Sequence, residues 1–350
     1  MLYDRLAALD LEIDSYEFEL RERDTSSGFT RTTTTVSLHG AGKTGRGEDV
    51  TYDSEPHYRL KEEETNLPIT GAETFAAFAE QLADVDLFFG EEPGNSIFRN
   101  YRRWAFESAA LDLALKQAGI DLATRLDRSY SPVRFIVSTR LEEPPTGDRV
   151  TRWLDRDSSL EFKLDPTDQW SPDLIDRLAE TGAVRTLDLK GKYEGTDVDQ
   201  SADPALYQRV IEGFPDALIE DPDLTEETRP LFDGEKNRVS WDYPIRGIDS
   251  VEQLQWGPRW LNIKPSRFGS VESLLDTIEY CQKRGIQLYG GGQFELGVGR
   301  QHLHTLASLF YPDGPNDVAP AGYNAPEPPS ELPGSPLPAP TEPKGLEWAR

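Results

Sequence analysis

The chain has 350 residues, of which 37% are hydrophobic and 10% aromatic, and its formal net charge is −26 with a pI near 4.5. That length is enough for one large or two moderate domains with a packed core, and that charge speaks against a nucleic-acid partner, because phosphate binding needs a basic face. Only ten of the 37 basic residues are lysine, and such an acidic, lysine-poor surface is the well-solvated kind that a high-salt habitat favours.

The opening MLYDRLAALDLEID lacks the long apolar run of a signal peptide. Residues 11 to about 50 read as β-rich. EIDSYEFEL alternates, and TRTTTTVSLHG is a threonine-rich strand. AGKTGRGEDV is glycine-rich and reads as a loop, and its GKT lacks the preceding glycine of a phosphate loop. Residues 72–87 are predicted as a helix. FRNYRRWAFESAALDLALKQAG is predicted as a second, with Phe106, Ala109, Ala110, Leu113 and Ala114 on one face and Gly119 at its C-terminus.

From about residue 130 short apolar runs alternate with amphipathic segments. The runs are VRFIVST, LEFKLD, VRTLDLK, DALIEDP, NRVSWDY, RWLNIKP and GIQLYGGG. Their period of roughly 20–30 residues leaves room for a crossover helix each time. Seven such strands, with an eighth expected near Asp317-Val318, predict a TIM-type (β/α) barrel rather than an open doubly wound sheet. No GxGxxG follows the first strand, which speaks against a dinucleotide fold. The lone cysteine, Cys281, sits in the helical stretch SLLDTIEYCQKRG. It excludes an internal disulfide and a thiolate metal cluster, and makes the cytosol the expected compartment. No segment reaches the roughly 18–20 apolar residues of a membrane span. From about 322 the chain is proline-rich and reads as an extended or disordered tail. The expected division is an α+β unit over 1–125, the barrel over 126–322 and the tail over 323–350.

Four of the apolar runs end in a charged residue followed by a turn: Asp188, Glu220, Asp242 and Lys264. In a parallel barrel such charges converge at the carboxyl ends of the strands, where sites form. Three carboxylates there make an oxygen cage that suits Mg²⁺, and the absence of histidine or cysteine beside them speaks against Zn²⁺. Lys163 ends the second run and Lys264 the sixth, on opposite sides of the mouth. A lysine partly desolvated near a metal has its pKa pulled down, which suits proton transfer.

These residues resemble the enolase superfamily, and within it the muconate-lactonizing subgroup, over about residues 15–325. The resemblance implies an α+β capping domain on a modified (β/α) barrel. It implies metal ligands at Asp188, Glu220 and Asp242, and catalytic lysines at Lys163 and Lys264. IEDP looks like the family's fourth-strand motif, and NIKPSRFG and GGGQFELGVGR resemble the sixth- and seventh-strand motifs of o-succinylbenzoate synthases and N-acylamino acid racemases. The seventh-strand motif places Gln293 and Glu295 near the substrate, and Lys190 is counted with them, its open roles being to pair with an acidic substrate group, to pair with a metal ligand or to point away. Two positions depart from the pattern: Glu161 stands where the second-strand motif has its first lysine, and Lys190 where the third-strand motif has an asparagine. The activity so implied is Mg²⁺-dependent abstraction of the α-proton of a small carboxylate substrate, giving a metal-stabilised enediolate, then dehydration or racemisation. Cap loops around 22–31 and 45–57 would cover the substrate. Cycloisomerisation, acid-sugar dehydration, and a barrel that keeps the fold without turnover are the alternatives. A homo-oligomer is left open.

Overall fold

A computed structural model describes residues 1–63, 67–193, 195–196 and 198–348. After a short α1 (Asp4–Ala7), the chain forms β1 (Ser15–Asp24), β2 (Thr30–Gly40) and β3 (Lys43–Asp49), an antiparallel sheet in that order. Ser15 faces His39, and Thr34 faces Asp49. The hairpin strands run to Asp24 and from Thr30, so only 25–29 remains as turn of the expected 22–31 loop.

The glycine-rich stretch expected as a loop is therefore largely strand β3, and its glycines serve packing. Helices α2 (Glu55–Glu62), α3 (Phe75–Ala83), α4 (Phe98–Gln117) and α5 (Leu122–Leu126) follow. A Cβ on Gly45 would lie 2.2 Å from the Ala109 carbonyl oxygen, and one on Gly47 1.9 Å from that of Ala105. Only glycine lets α4 lie this close on the strand. The predicted face of α4 (Phe106, Ala109, Ala110, Leu113, Ala114) is buried, and Gly119 takes φ +71 just past the helix end. The helix expected over 72–87 is trimmed to α3: the Thr74 hydroxyl accepts from Ala77 N and fixes its start.

The second sheet is parallel and seven-stranded: β4 (Val137–Thr139), β5 (Phe162–Leu164), β6 (Val184–Asp188), β7 (Leu218–Glu220), β8 (Val239–Trp241), β9 (Trp260–Ile263) and β10 (Gln287–Gly290), in chain order. Helices α6 (Asp148–Arg156), α7 (Pro172–Glu180), α8 (Pro204–Gly213), α9 (Ile248–Glu252), α10 (Pro265–Phe268), α11 (Val271–Lys283) and α12 (Val298–Phe310) complete the units. The expected eighth strand is reduced to single bridges, Phe135 with Asn316 and Gly291 with Asp317. The fully buried Asn316 side chain closes this seam: it accepts from Gly290 N and donates to the carbonyls of Arg134, Tyr311 and Gly314. This is the expected capped (β/α) barrel.

The proline-rich end is extended but docked. Leu337 pairs with Val133 before β4, Gly345 bridges Asp121, and Trp348 packs edge-on to Tyr130. Among the described residues no helix is long and apolar enough to cross a membrane.

Candidate active site at the barrel mouth

Parallel pairing in register sets the site. Asp188 and Glu220 are partners on β6 and β7, and Asp242 follows the last residue of β8, one strand further on. Each alternates inward at its strand end. All three are fully buried, and one carboxylate oxygen of each lies within 4.8 Å of the others. Lys163 ion-pairs with Glu220 Oε1 and reaches Asp188 Oδ2 at 3.1 Å and Asp317 at 3.6 Å. Lys264 Nζ donates to Asp242 Oδ2 at 2.9 Å, and Arg267 to Asp242 Oδ1 at 2.6 Å. Tyr289 donates to Glu220 Oε2, and Tyr193 to Asp242 Oδ2 at 2.8 Å.

The charges are strongly coupled. Burial penalises Asp188, but Lys163 and Lys190 hold it well below the usual carboxylate range. Arg267 and Lys264 do the same for Asp242 against its burial. Glu220 goes the other way: burial and the two neighbouring acids push it up despite Lys163. Burial also opposes the charge on Lys163, yet the carboxylates outweigh it and raise the ammonium's pKa.

The donor set passes a test of fit for a hard cation. It is all carboxylate oxygen, buried, and convergent. Beside it the buried Asn262 Oδ1 has no partner among the described residues, while the same side chain's Nδ2 donates to Glu220. Asp188, Glu220 and Asp242 are the residues that would hold a divalent metal.

The three residues expected near the substrate are placed unequally. Gln293 lies between two phenols of the N-terminal unit: Tyr52 donates to its Oε1 at 3.0 Å, and its Nε2 donates to Tyr101 at 2.9 Å. Glu295 accepts from Gln293 N and sits 3.2 Å from Arg300. Lys190 folds back onto Asp188 instead of projecting away. Glu161 is absent from the mouth. The β5–β6 register passes from Phe162–Val184 to Lys163–Thr186, so the extra residue is Arg185 on β6. Glu161 accepts from Arg134 and Arg185.

Several mouth residues were not singled out by sequence. Asp221 accepts from Asp242 N and Tyr243 N, tying β8's end to β7's, and burial with the Asp242 and Asp188 charges pushes it up to about 7. Arg267, Tyr193, Tyr289 and Asp317 complete the ring. Arg267 lies within the quoted NIKPSRFG, and Asp221 within IEDP, so the signal was in hand. In the glycine triplet, a Cβ on Gly291 would lie 2.4 Å from Asn262 Oδ1 and 2.7 Å from Lys264 Cε.

Comparison with known proteins agrees with this geometry. Residues 4–125 match the N-terminal domain, and 129–325 the C-terminal domain, of a family described as domain of unknown function DUF8230. The chain is 27% identical over 239 residues to o-succinylbenzoate synthase of Geobacillus kaustophilus, covering 64% of this chain and 60% of that protein. It is 36% identical over 86 residues to the synthase of Listeria innocua, 24% of this chain and 23% of that one. The match thus spans less than two thirds of the length of these curated relatives. A Listeria innocua enolase-superfamily structure superposes with TM-score 0.71 at 20% identity, covering 96% of this chain and 94% of that one. Dipeptide epimerase from Enterococcus faecalis gives 0.71 at 15%, covering 96% and 99%. Muconate cycloisomerase from Pseudomonas fluorescens gives 0.65 at 18%, covering 88% and 87%. The chain belongs to the DUF8230 family, which it matches across both domains, and it carries the fold of the enolase superfamily.

Proposed function

We propose that the chain is a Mg²⁺-dependent enzyme that removes the α-proton of a small carboxylate substrate and completes a dehydration or a racemisation. The observation that carries this reading is the buried triad of Asp188, Glu220 and Asp242 with a lysine on each flank, Lys163 toward Glu220 and Lys264 toward Asp242. The similarity to o-succinylbenzoate synthases supports it. When bound, the metal would hold the substrate carboxylate and offset the charge that grows there as the proton leaves.

The chain's own residues do the rest. Lys163 and Lys264 take and return the proton at the α-carbon, one from each face. Both ammonium groups are buried beside the acids that would hold the metal, Lys163 at Glu220 and Lys264 at Asp242. Asp221 fixes the direction of Asp242, and Gly291 leaves room for the Lys264 side chain. Gln293 and Glu295, with Lys190, face the substrate, and Tyr52 with the turn at 25–29 covers it and excludes water.

The test is exchange of substrate α-protons with deuterated solvent, followed by NMR on a panel of N-acylated amino acids and aryl-succinyl acids with Mg²⁺. Metal-dependent exchange that disappears in Lys264→Ala is the expected result. No exchange across the panel, and none lost in that variant, would rule the reading out. Cycloisomerisation and acid-sugar dehydration share the same first step, and product analysis separates them. A second reading, a barrel without turnover, draws on one observation: Lys190 sits on a ligand oxygen of Asp188.

A further inference from the structure

We propose that Lys190 is a built-in counter-cation of the carboxylate triad, competing with a divalent metal for Asp188 and moving to Asp165 when the metal binds. The inference rests on the metal reading of the triad. It concerns a residue that the proton-transfer chemistry itself does not require.

Residue 190 engages both oxygens of Asp188. Its backbone N–H donates to Oδ1 at 3.1 Å and its Nζ to Oδ2 at 2.5 Å. This grip is imposed by the backbone. Lys190 has φ +56, in the left-handed region that few residues other than glycine adopt. That turn folds the side chain back over the strand end. The next residue holds the path in place, since a Cβ on Gly191 would lie 2.4 Å from Asp223 N.

The ammonium also has somewhere to go. Asp165 Oδ1 lies 3.8 Å from Nζ, and the Tyr193 ring centroid 4.9 Å from it. Rotation about the last side-chain bonds carries Nζ from Asp188 toward Asp165 while it stays against the ring. Lys163 is held deeper, among Asp188, Glu220 and Asp317, with 2% of its side chain exposed against 13% for Lys190.

Two consequences follow. Without metal, three buried carboxylates repel one another, and Lys190 relieves part of that repulsion, so the chain folds without its metal. With metal, the same positive charge stands beside a ligand oxygen in a poorly screened site and weakens binding.

The test is titration of Mn²⁺ into the chelator-treated 350-residue chain by calorimetry, at neutral pH, for wild type, Lys190→Met, Lys190→Gln and Asp165→Asn. The two neutral Lys190 variants are expected to bind Mn²⁺ about tenfold or more tightly than wild type. Asp165→Asn, which removes the ammonium's alternative partner, is expected to bind several-fold more weakly. Melting temperature gives a second readout: the neutral variants should melt below wild type when chelated and gain more on Mn²⁺ addition. Equal or weaker binding by both neutral variants, with wild type binding normally, overturns the role of Lys190 and leaves the metal reading standing. Absence of Mn²⁺ binding in wild type and every variant overturns the metal reading and this inference together.

Discussion

Two buried charge clusters in this chain are closed in different ways. Beneath the first sheet, Arg102 donates to Asp49 at 2.8 Å and to the carbonyls of Leu87 and Pro56. Thr51 N and Oγ1 both donate to Asp49, and the His57 ring bonds Thr34 and Thr51 on its two nitrogens. Asp49 faces Arg102 and, at 3.7 Å, the His57 ring, and each of these three side chains has its partners. At the barrel mouth the acids outnumber the bases: Asp188, Glu220, Asp242, Asp221, Asp165 and Asp317 face Lys163, Lys190, Lys264 and Arg267. Buried polar atoms there lack partners among the described residues, Asn262 Oδ1 and Arg267 Nε among them. A cluster that balances its own charge and hydrogen bonds is a structural one. A cluster short of positive charge, with orphaned atoms beside it, is shaped for a ligand.

Substitutions sharpen this contrast. The largest effect is expected at the mouth. Removing Lys163 or Lys264 should lower α-proton exchange by about 10²–10⁴-fold, roughly 3–5 kcal/mol of barrier, while circular dichroism and melting show a folded protein. An equal loss in stability would move these lysines into the structural class. Next is the cap cluster. Asp49→Ala strands the fully buried Arg102 and should cost about 3–5 kcal/mol in urea unfolding with Mn²⁺ affinity unchanged. A change in metal affinity would show that the two clusters are coupled.

A smaller effect comes from pH, and its sign follows from the cap cluster. Against burial, Arg102 and then His57 hold Asp49 down to about 2, below the unfolded value of about 3.9. A depressed acid stabilises the fold fully above its unfolded pKa, and that stability is lost as pH falls toward the folded one. The loss should run from about pH 4 to about pH 2 and reach about 2–3 kcal/mol. Burial, against the pull of Asp49, pushes His57 below its ordinary value, so the unfolded chain takes up that proton first and stability begins to fall below about pH 6.5. Urea midpoints measured across this range, for wild type against Asp49→Asn, isolate the carboxylate's share. Curves that stay parallel below pH 4 would contradict the assignment.

The same contrast shows what a sequence can and cannot announce. Strand ends were legible because each βα unit writes β-formers, a charge and a turn residue, so Asp188, Glu220, Asp242 and Lys264 stand out locally. Strand β3 was hidden because Gly45 and Gly47 answer to α4, which lies some sixty residues further along the chain. The eighth strand was faint because the Asn316 side chain does the pairing that a ladder would do elsewhere. Lys190 was visible as a departure, but its partner depended on a left-handed backbone turn that composition does not specify. Asp317 lies at the faint eighth strand and Arg267 inside the NIKPSRFG motif, but neither segment names its residue's partner. Only the barrel brings them to Lys163 and Asp242.

Glu161 supplies the smallest prediction and the cleanest control. It stands two residues before Lys163, where strand alternation would aim both side chains at the mouth. Glu161 precedes β5, and its carboxylate is instead taken up by Arg134 and by Arg185, the residue that the β5–β6 register skips. The two arginines, against partial burial, hold its carboxyl below the usual range. Both partners are about a third exposed, with side-chain exposures of 38% and 35%, so water screens the pairs and their combined worth is about 0.5–1 kcal/mol. Glu161→Ala should therefore shift the urea midpoint slightly and leave Mn²⁺ affinity and proton exchange where they were. Restoring a lysine there, Glu161→Lys, should cost more than the alanine, because it sets a third positive charge beside two arginines without adding one to the mouth. If Glu161→Lys instead changes metal affinity as Lys190→Met does, Glu161 belongs to the charge balance of the site.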